Sequence, residues 1–280
     1  MYLGHTNDLK LDEYTVLKQC NNRNVLVNSD GYKLVSNVCP HQESLISKCN
    51  GVGKRTCPYH GWTFQSDGTN LGSGTSQCKN TTPLDSNDTY IWNNLVFSKP
   101  FNIDYNVNLE HMQLVEQRVD SVASDYRNIV DLFLDVEHIP LIHRNVYDTI
   151  GLSKIQAVDW RYFDGGSLQI VDRNSNSFDQ HLIESERQAS AFWLCVYPNT
   201  MIEYQPGSLF VTVATSTNEV IVYKYRDTRY SDESYTINNT VWETAWQQDK
   251  EQAEMITVFT SKNLCDAKKH YRMSLNGGAL

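Results

Sequence analysis

The sequence predicts an α+β protein of two domains: an all-β domain over residues 1–100 and a larger domain over residues 101–280, in which antiparallel strands accompany a long C-terminal helix. Three observations carry this. The first hundred residues alternate short apolar runs with turn dipeptides. The middle of the chain holds several apolar runs of strand length. From Thr240 to Leu264, apolar residues recur at helical spacing.

In the first domain, Val25-Leu26-Val27 and Tyr32-Lys33-Leu34-Val35 flank Asn28-Ser29-Asp30-Gly31. Asp-Gly between two apolar runs is a hairpin signal, because these residues tolerate the positive φ that a tight hairpin turn needs. The same punctuation recurs at Asp67-Gly68 and at Gly72-Ser73-Gly74. An apolar strand, Tyr90-Ile91-Trp92 through Leu95-Val96-Phe97, closes the domain, and Lys99-Pro100 marks its end. Beyond it, Ile129, Val130, Phe133 and Val136 fall near helical spacing and predict a helix from Asp125 to His138, which Pro140 ends or kinks. Strands are expected at Gly166–Val171, Ala191–Tyr197, Leu209–Thr215 and Glu219–Tyr225. The last helix carries one apolar stripe, Trp242, Ala245, Trp246, Ala253 and Ile256.

With 40% hydrophobic and 20% charged residues, the chain is a folded protein rather than a disordered one. Its net charge of -9 is opposite in sign to a nucleic-acid-binding surface, so no nucleic-acid partner is expected. Met1-Tyr2-Leu3-Gly4-His5 is not a basic region followed by an apolar core, and no run approaches the roughly 18 apolar residues of a membrane helix. A cytoplasmic protein with no membrane association is expected. The seven cysteines are odd in number and irregular in spacing, which favours metal binding over a disulfide framework.

The strongest motif is Cys39-Pro40-His41, then fifteen residues, then Cys57-Pro58-Tyr59-His60-Gly61-Trp62. Each box offers one thiolate and one imidazole from a tight loop. That donor set suits a zinc ion, and it equally suits a 2Fe–2S cluster in which two cysteines hold one iron and two histidines the other. Residue types, spacings and the flanking Gly61-Trp62-Thr63-Phe64 together resemble the cluster-binding region of the Rieske oxygenases. Respiratory-type Rieske proteins carry an extra cysteine in each loop. Here Ser44 and Tyr59 stand in those places, which points to the oxygenase or ferredoxin branch. One departure is Gln42-Glu43 in place of the family's Arg-Gly. Cys20, Cys49, Cys78, Cys195 and Cys265 read as small apolar fillers.

A second constellation follows. Asp135 and His138 are three apart and expected on one helix face, with His143 five residues on, past the proline. Two histidines near a helix end are by themselves a weak signal. Asp-x-x-His-x-x-x-x-His, however, resembles the iron-binding helix of the same family, with Leu132 and Asp131 where many members have Asn and Glu. In the terminal helix, Asp249 falls within the apolar stripe, and a carboxylate on a buried face is costly unless it pairs with a cation or holds a metal. Gln248-Asp249-Lys250-Glu251 resembles the family's acidic segment, whereas a core ion pair with arginine is the bland alternative for Asp249. Trp193 to Asn199 resembles a pocket-lining strand of the family.

The resemblance implies a Rieske domain followed by a helix-grip (START-like) catalytic domain. It implies a 2Fe–2S cluster on Cys39, His41, Cys57 and His60, and a mononuclear Fe(II) on His138, His143 and Asp249. Asp135 takes the role of linking the iron site to a neighbouring subunit's Rieske histidine, which suits a homotrimer. The chain has no nicotinamide or flavin fingerprint, so electrons are expected from a separate reductase or ferredoxin. The implied reaction uses O2 to hydroxylate or oxidatively demethylate a small organic substrate. The alternatives are a Rieske-type electron carrier without mononuclear iron and a zinc-bound structural module.

Overall fold

The computed structural model describes residues 1–73, 81–135, 138–147, 158–171, 191–215, 218–256 and 266–275. Two compact units are present, Tyr2–Pro100 and Phe101–Leu280. No helix among the described residues is long and apolar enough to cross a membrane.

The first unit is built of short strands: β1 (Tyr2–His5), β2 (Glu13–Val16), β3 (Asn24–Asn28), β4 (Tyr32–Ser36), β5 (Gly51–Val52), β6 (Arg55–Thr56), β7 (Trp62–Phe64), β8 (Asn70–Ser73), β9 (Ser86–Asp88), β10 (Tyr90–Trp92) and β11 (Leu95–Phe97). They form three antiparallel sheets, ordered β1-β11-β10, β5-β2-β3-β4-β9 and β6-β7-β8. Asp30 and Gly31 both have positive φ and join β3 to β4 as expected. The single strand expected across Tyr90–Phe97 is instead a hairpin. Asn93 and Asn94 both adopt positive φ, at 47° and 68°, and β10 turns back on β11. Asn tolerates the left-handed region better than other non-glycine residues, so the pair makes the turn that Asp-Gly makes elsewhere.

The second unit is dominated by one antiparallel sheet of seven strands: β12 (Met112–Ser121), β13 (Val158–Phe163), β14 (Gly166–Val171), β15 (Ala191–Val196), β16 (Thr200–Gln205), β17 (Ser208–Ala214) and β18 (Glu219–Asp227). Its order is β12-β18-β17-β16-β15-β14-β13. Helices α1 (Tyr126–Phe133), α2 (Ile139–Ile142), α3 (Arg144–Tyr147), α4 (Asp232–Met255) and α5 (Asp266–Leu275) complete it. The core places Ile129 and Val130 of α1, Trp242, Trp246 and Ala253 of α4, and Tyr271 of α5 with sheet residues Cys195, Met201, Phe210 and Val222. This is a sheet gripping a long helix, the arrangement anticipated above.

The helix expected over Asp125–His138 is shorter. Asp125 caps α1 by accepting the Arg127 N–H, and the helix ends at Phe133. Asp135 and His138 therefore do not share a helix face; residues 136 and 137 lie outside the described residues. Pro140 does not terminate α1 but sits in the first turn of α2, where its missing N–H has no intrahelical role. Helix α4 begins at Asp232, eight residues before the expected start, capped by the Ser231 hydroxyl. Ile256 is its C-cap and half exposed, so it leaves the apolar stripe; residues 257–265 lie outside the described residues. Helix α5 is fixed by two ion pairs, one to α1 and one to the segment just after it: buried Arg272 with buried Asp131, and Lys268 with Asp135 at 2.8 Å.

Candidate metal centres and pocket

The two cysteine–histidine boxes fold into matching loops. Cys39 N–H donates to Ser44 O (2.9 Å) and Cys57 N–H to Trp62 O (2.7 Å). Glu43 N–H donates back to Cys39 O (2.9 Å) and Gly61 N–H to Cys57 O (3.1 Å). The fourth residue after each cysteine takes positive φ, Glu43 at 55° and Gly61 at 73°. These loops bring both cysteines to the buried side and both imidazoles to a half-buried rim, with ring centroids 4.7 Å apart. The His41 ring stacks on Trp62.

The chemistry of the set fits a cluster. Burial pushes the Cys39 thiol up. Backbone N–H groups of His41 and Gln42 draw it down, while Cys57, hydrogen-bonded to it, raises it again. Two buried sulfurs in contact call for positive charge between them. Nδ1 of His41 is buried with no hydrogen-bond partner among the described residues, and Nδ1 of His60 is buried too. A buried imidazole nitrogen aimed at neither donor nor acceptor is costly unless it holds a metal.

Glu43 stands where this geometry favours glycine, and the left-handed conformation costs a residue with a Cβ about 1–2 kcal/mol. Glu43→Gly is expected to raise stability by about 0.5–1 kcal/mol, the difference left after glycine's greater unfolded-state entropy. Urea unfolding of the two proteins checks this.

Among the other cysteines, Cys195 is a buried filler as expected, and Cys20 is half-buried with its thiol pushed up to about 11 by burial. Cys49 is exposed and fills no core, because it lies in the polar bend Lys48-Cys49-Asn50 leading into β5. Cys78 and Cys265 lie outside the described residues.

In the second unit, His138, His143 and Asp249 converge. The two Nε2 atoms are 3.1 Å apart, and Asp249 Oδ1 lies 2.9 Å from His143 Nε2 and 3.4 Å from His138 Nε2. Such a triangle is what three cis ligands make around a metal at ~2.1 Å. Asp135 lies beside it, in the same pocket wall as the two histidines. His143 is 1% exposed, and its Nδ1–H donates to Gln248 Oε1 at 2.7 Å. With Nδ1 so engaged, Nε2 faces the Asp249 carboxylate, and either a proton or a metal cation must stand between them. Burial opposes charge on His143, but Asp249 and Gln248 outweigh it and raise its pKa. Burial likewise pushes Asp249 up, while hydrogen bonds from His138 and His143 bring it below the usual carboxylate range. Metal binding would replace the protons that this pairing retains. Gln248 as the partner that fixes His143 was not expected; its place directly before Asp249 was the available signal.

The triangle opens onto a partly open pocket. One part is lined by Gln169, Trp193, Glu203 and Asp249 with the two histidines; the adjoining part by Phe133, Met201, Glu203, Phe210, Trp242, Trp246 and Asp249. Strand register makes the pocket floor: Gln169, Trp193, Glu203 and Phe210 are successive cross-strand partners on β14 to β17. Trp193 was expected to line it. Glu203 was not; it is 6% exposed, and burial pushes its carboxyl up to about 7 against hydrogen bonds from Gln205 and Trp193.

A Rieske [2Fe-2S] domain model matches residues 1–83. Putrescine 2-hydroxylase of Ralstonia nicotianae is 21% identical over 239 residues, covering 75% of this chain and 64% of that protein. The oxygenase subunit of carnitine monooxygenase from Acinetobacter pittii is 26% identical over 204 residues, 63% of this chain and 53% of that one. The chain thus spans about half to two thirds of the length of these relatives. Among solved structures, the quaternary ammonium Rieske monooxygenase CntA superposes with a TM-score of 0.70 at 14% identity, covering 99% of this chain and 87% of that one. Naphthalene 1,2-dioxygenase superposes with a TM-score of 0.63 at 13% identity, covering 100% and 75%. Residues 1–83 thus carry a Rieske [2Fe-2S] domain, and the chain as a whole is similar in sequence to a putrescine hydroxylase and a carnitine monooxygenase subunit and in fold to Rieske oxygenases.

Proposed function

We propose that this chain is the terminal oxygenase component of a Rieske oxygenase, which uses O2 and electrons from a separate reductase to hydroxylate or oxidatively demethylate a small organic substrate. The observation that carries the reading is the His138–His143–Asp249 triangle at the wall of a pocket. An electron carrier needs neither the triangle nor the pocket. Relatives named as a putrescine hydroxylase and a carnitine monooxygenase support it.

In this reading Cys39, Cys57, His41 and His60 hold the 2Fe–2S cluster, and His138, His143 and Asp249 hold Fe(II). Bound there, the iron supplies open positions for dioxygen beside the substrate. The protein's own part is placement. Gln248 holds the His143 ring in register. The aromatic walls exclude water and orient the substrate against the metal face. Asp135, at the mouth of this site, serves as the bridge toward a neighbouring subunit's cluster in a homotrimer.

The test is substrate-dependent O2 uptake by iron-reconstituted protein with a chemical reductant and a panel of small amines, aromatics and ethers. The reading expects at least one compound to accelerate uptake and to yield a product one oxygen heavier or one methyl lighter. Reversible reduction of the cluster with no substrate-stimulated uptake would leave an electron carrier instead.

A further inference from the structure

The described residues of the second unit bury three carboxylates, Asp131, Glu203 and Asp227. Asp131 has Arg272 and Asp227 has Arg229. Glu203 has no arginine or lysine partner among the described residues. Its Oε1 accepts from Gln205 Nε2 at 2.7 Å, and Trp193 donates a second hydrogen bond, both from neutral groups. The lysine in the same cross-strand row, Lys224, lies beyond Phe210 and is committed to Glu116 and Glu243. Among the described residues, no arginine or lysine lines either part of the pocket. A buried carboxyl without a counter-charge tends to take a proton rather than hold a bare charge, so a cationic ligand that supplies the counter-charge binds in its ionised form with a partner ready.

Two further features define that ligand. Gln169, in the same wall, donates Nε2 toward Phe133 O and leaves its Oε1 buried without a partner among the described residues. The pocket therefore holds acceptors in excess. The apolar part of its wall includes Phe133, Met201, Phe210, Trp242 and Trp246, which favours alkyl groups and offers aromatic surface to a cation.

We infer that Glu203 selects the substrate, and that the substrate is a small alkyl amine bound as its N–H-bearing ammonium ion, paired with Glu203 and donating to Gln169. This rests on the oxygenase reading of the pocket but is read out by binding rather than turnover. An ammonium at Glu203 lies in the same pocket as the metal triangle, so the carbons attached to it are the ones presented to the metal face. Glu203 is a positioning and specificity residue for this ligand; the metal triangle does not include it.

The experiment is calorimetric titration of the iron-loaded protein with n-alkylammonium ions, the n-alkanols of matching length, and tetramethylammonium, with iron content measured on each sample. The expected result is that one alkylammonium binds at least 30-fold more tightly than its alkanol and more tightly than tetramethylammonium. Glu203→Gln should weaken that ion by about 30-fold or more, the loss typical of removing one partner of a buried charge pair, with iron content unchanged. Glu203→Asp, which keeps the charge, should retain the preference over the alkanol. Equal binding of ion and alkanol, or wild-type ammonium affinity in Glu203→Gln, would overturn the proposal. Loss of iron from Glu203→Gln would also overturn it, because Glu203 would then be balancing the metal's charge. An alkylammonium preference in protein that holds no mononuclear iron would leave Glu203's role standing and remove the oxygenase reading.

Discussion

Asp249→Ala is expected to release the mononuclear iron and spare the cluster. Iron should fall from about three to about two per chain while acid-labile sulfide stays at about two. Asp249 Oδ1 contacts both histidine nitrogens, so its loss opens one side of the triangle and leaves two neutral imidazoles. Removal of even an outer partner of a metal ligand typically costs 10–100-fold in metal affinity or activity, and loss of a direct ligand should exceed ~100-fold. Substrate-dependent O2 uptake should drop to background. The fold should survive, since alanine is the best helix former and α4 keeps its packing through Trp242, Ala245 and Trp246. If Asp249 were instead an ordinary core acid, iron content would not change and only thermal stability would fall.

Asp135→Asn is expected to separate electron delivery from metal binding. Asparagine is nearly isosteric, and Asp135 is outside the triangle, so about three irons and two sulfides should remain. The rate at which substrate and O2 reoxidise the reduced cluster should fall by about 100-fold, equivalent to ~2.7 kcal/mol on the barrier. The Lys268–Asp135 pair supplies the necessary control, because Asp135→Asn also weakens the docking of α5. Lys268→Met breaks the same pair and keeps the carboxylate. If Asp135 bridges the centres, stopped-flow absorbance should show slow reoxidation in Asp135→Asn alone. Equal slowing in both variants would assign the effect to α5.

What was legible in the sequence was chemistry confined to short segments. Cys39 to His60 offers four candidate ligands within two loops, and the geometry of those loops follows from local turns. Asp249 was legible because a carboxylate inside an apolar stripe contradicts the pattern around it. The helical face assigned to Asp135 and His138 was not correct, since α1 stops at Phe133 and tertiary packing, not helical spacing, brings His138 to Asp249. Strand β12 escaped because it is an edge strand with most side chains exposed, so no apolar alternation marks it. Strand β16 escaped for the opposite reason. It is buried throughout, yet Thr200, Glu203 and Gln205 interrupt its apolar run. Glu203 was hidden with it, because its meaning depends on which strand lies beside it and on the absence of a nearby cation. The early turns of α4 are polar, and its apolar stripe starts only at Val241.

One chain is expected to hold both a 2Fe–2S cluster and a mononuclear iron. Iron and acid-labile sulfide per chain, measured on anaerobically purified wild-type protein, test it most directly. About three irons to two sulfides is the predicted result; two to two would remove the mononuclear iron and with it the oxygenase, and zinc without sulfide would contradict the cluster as well.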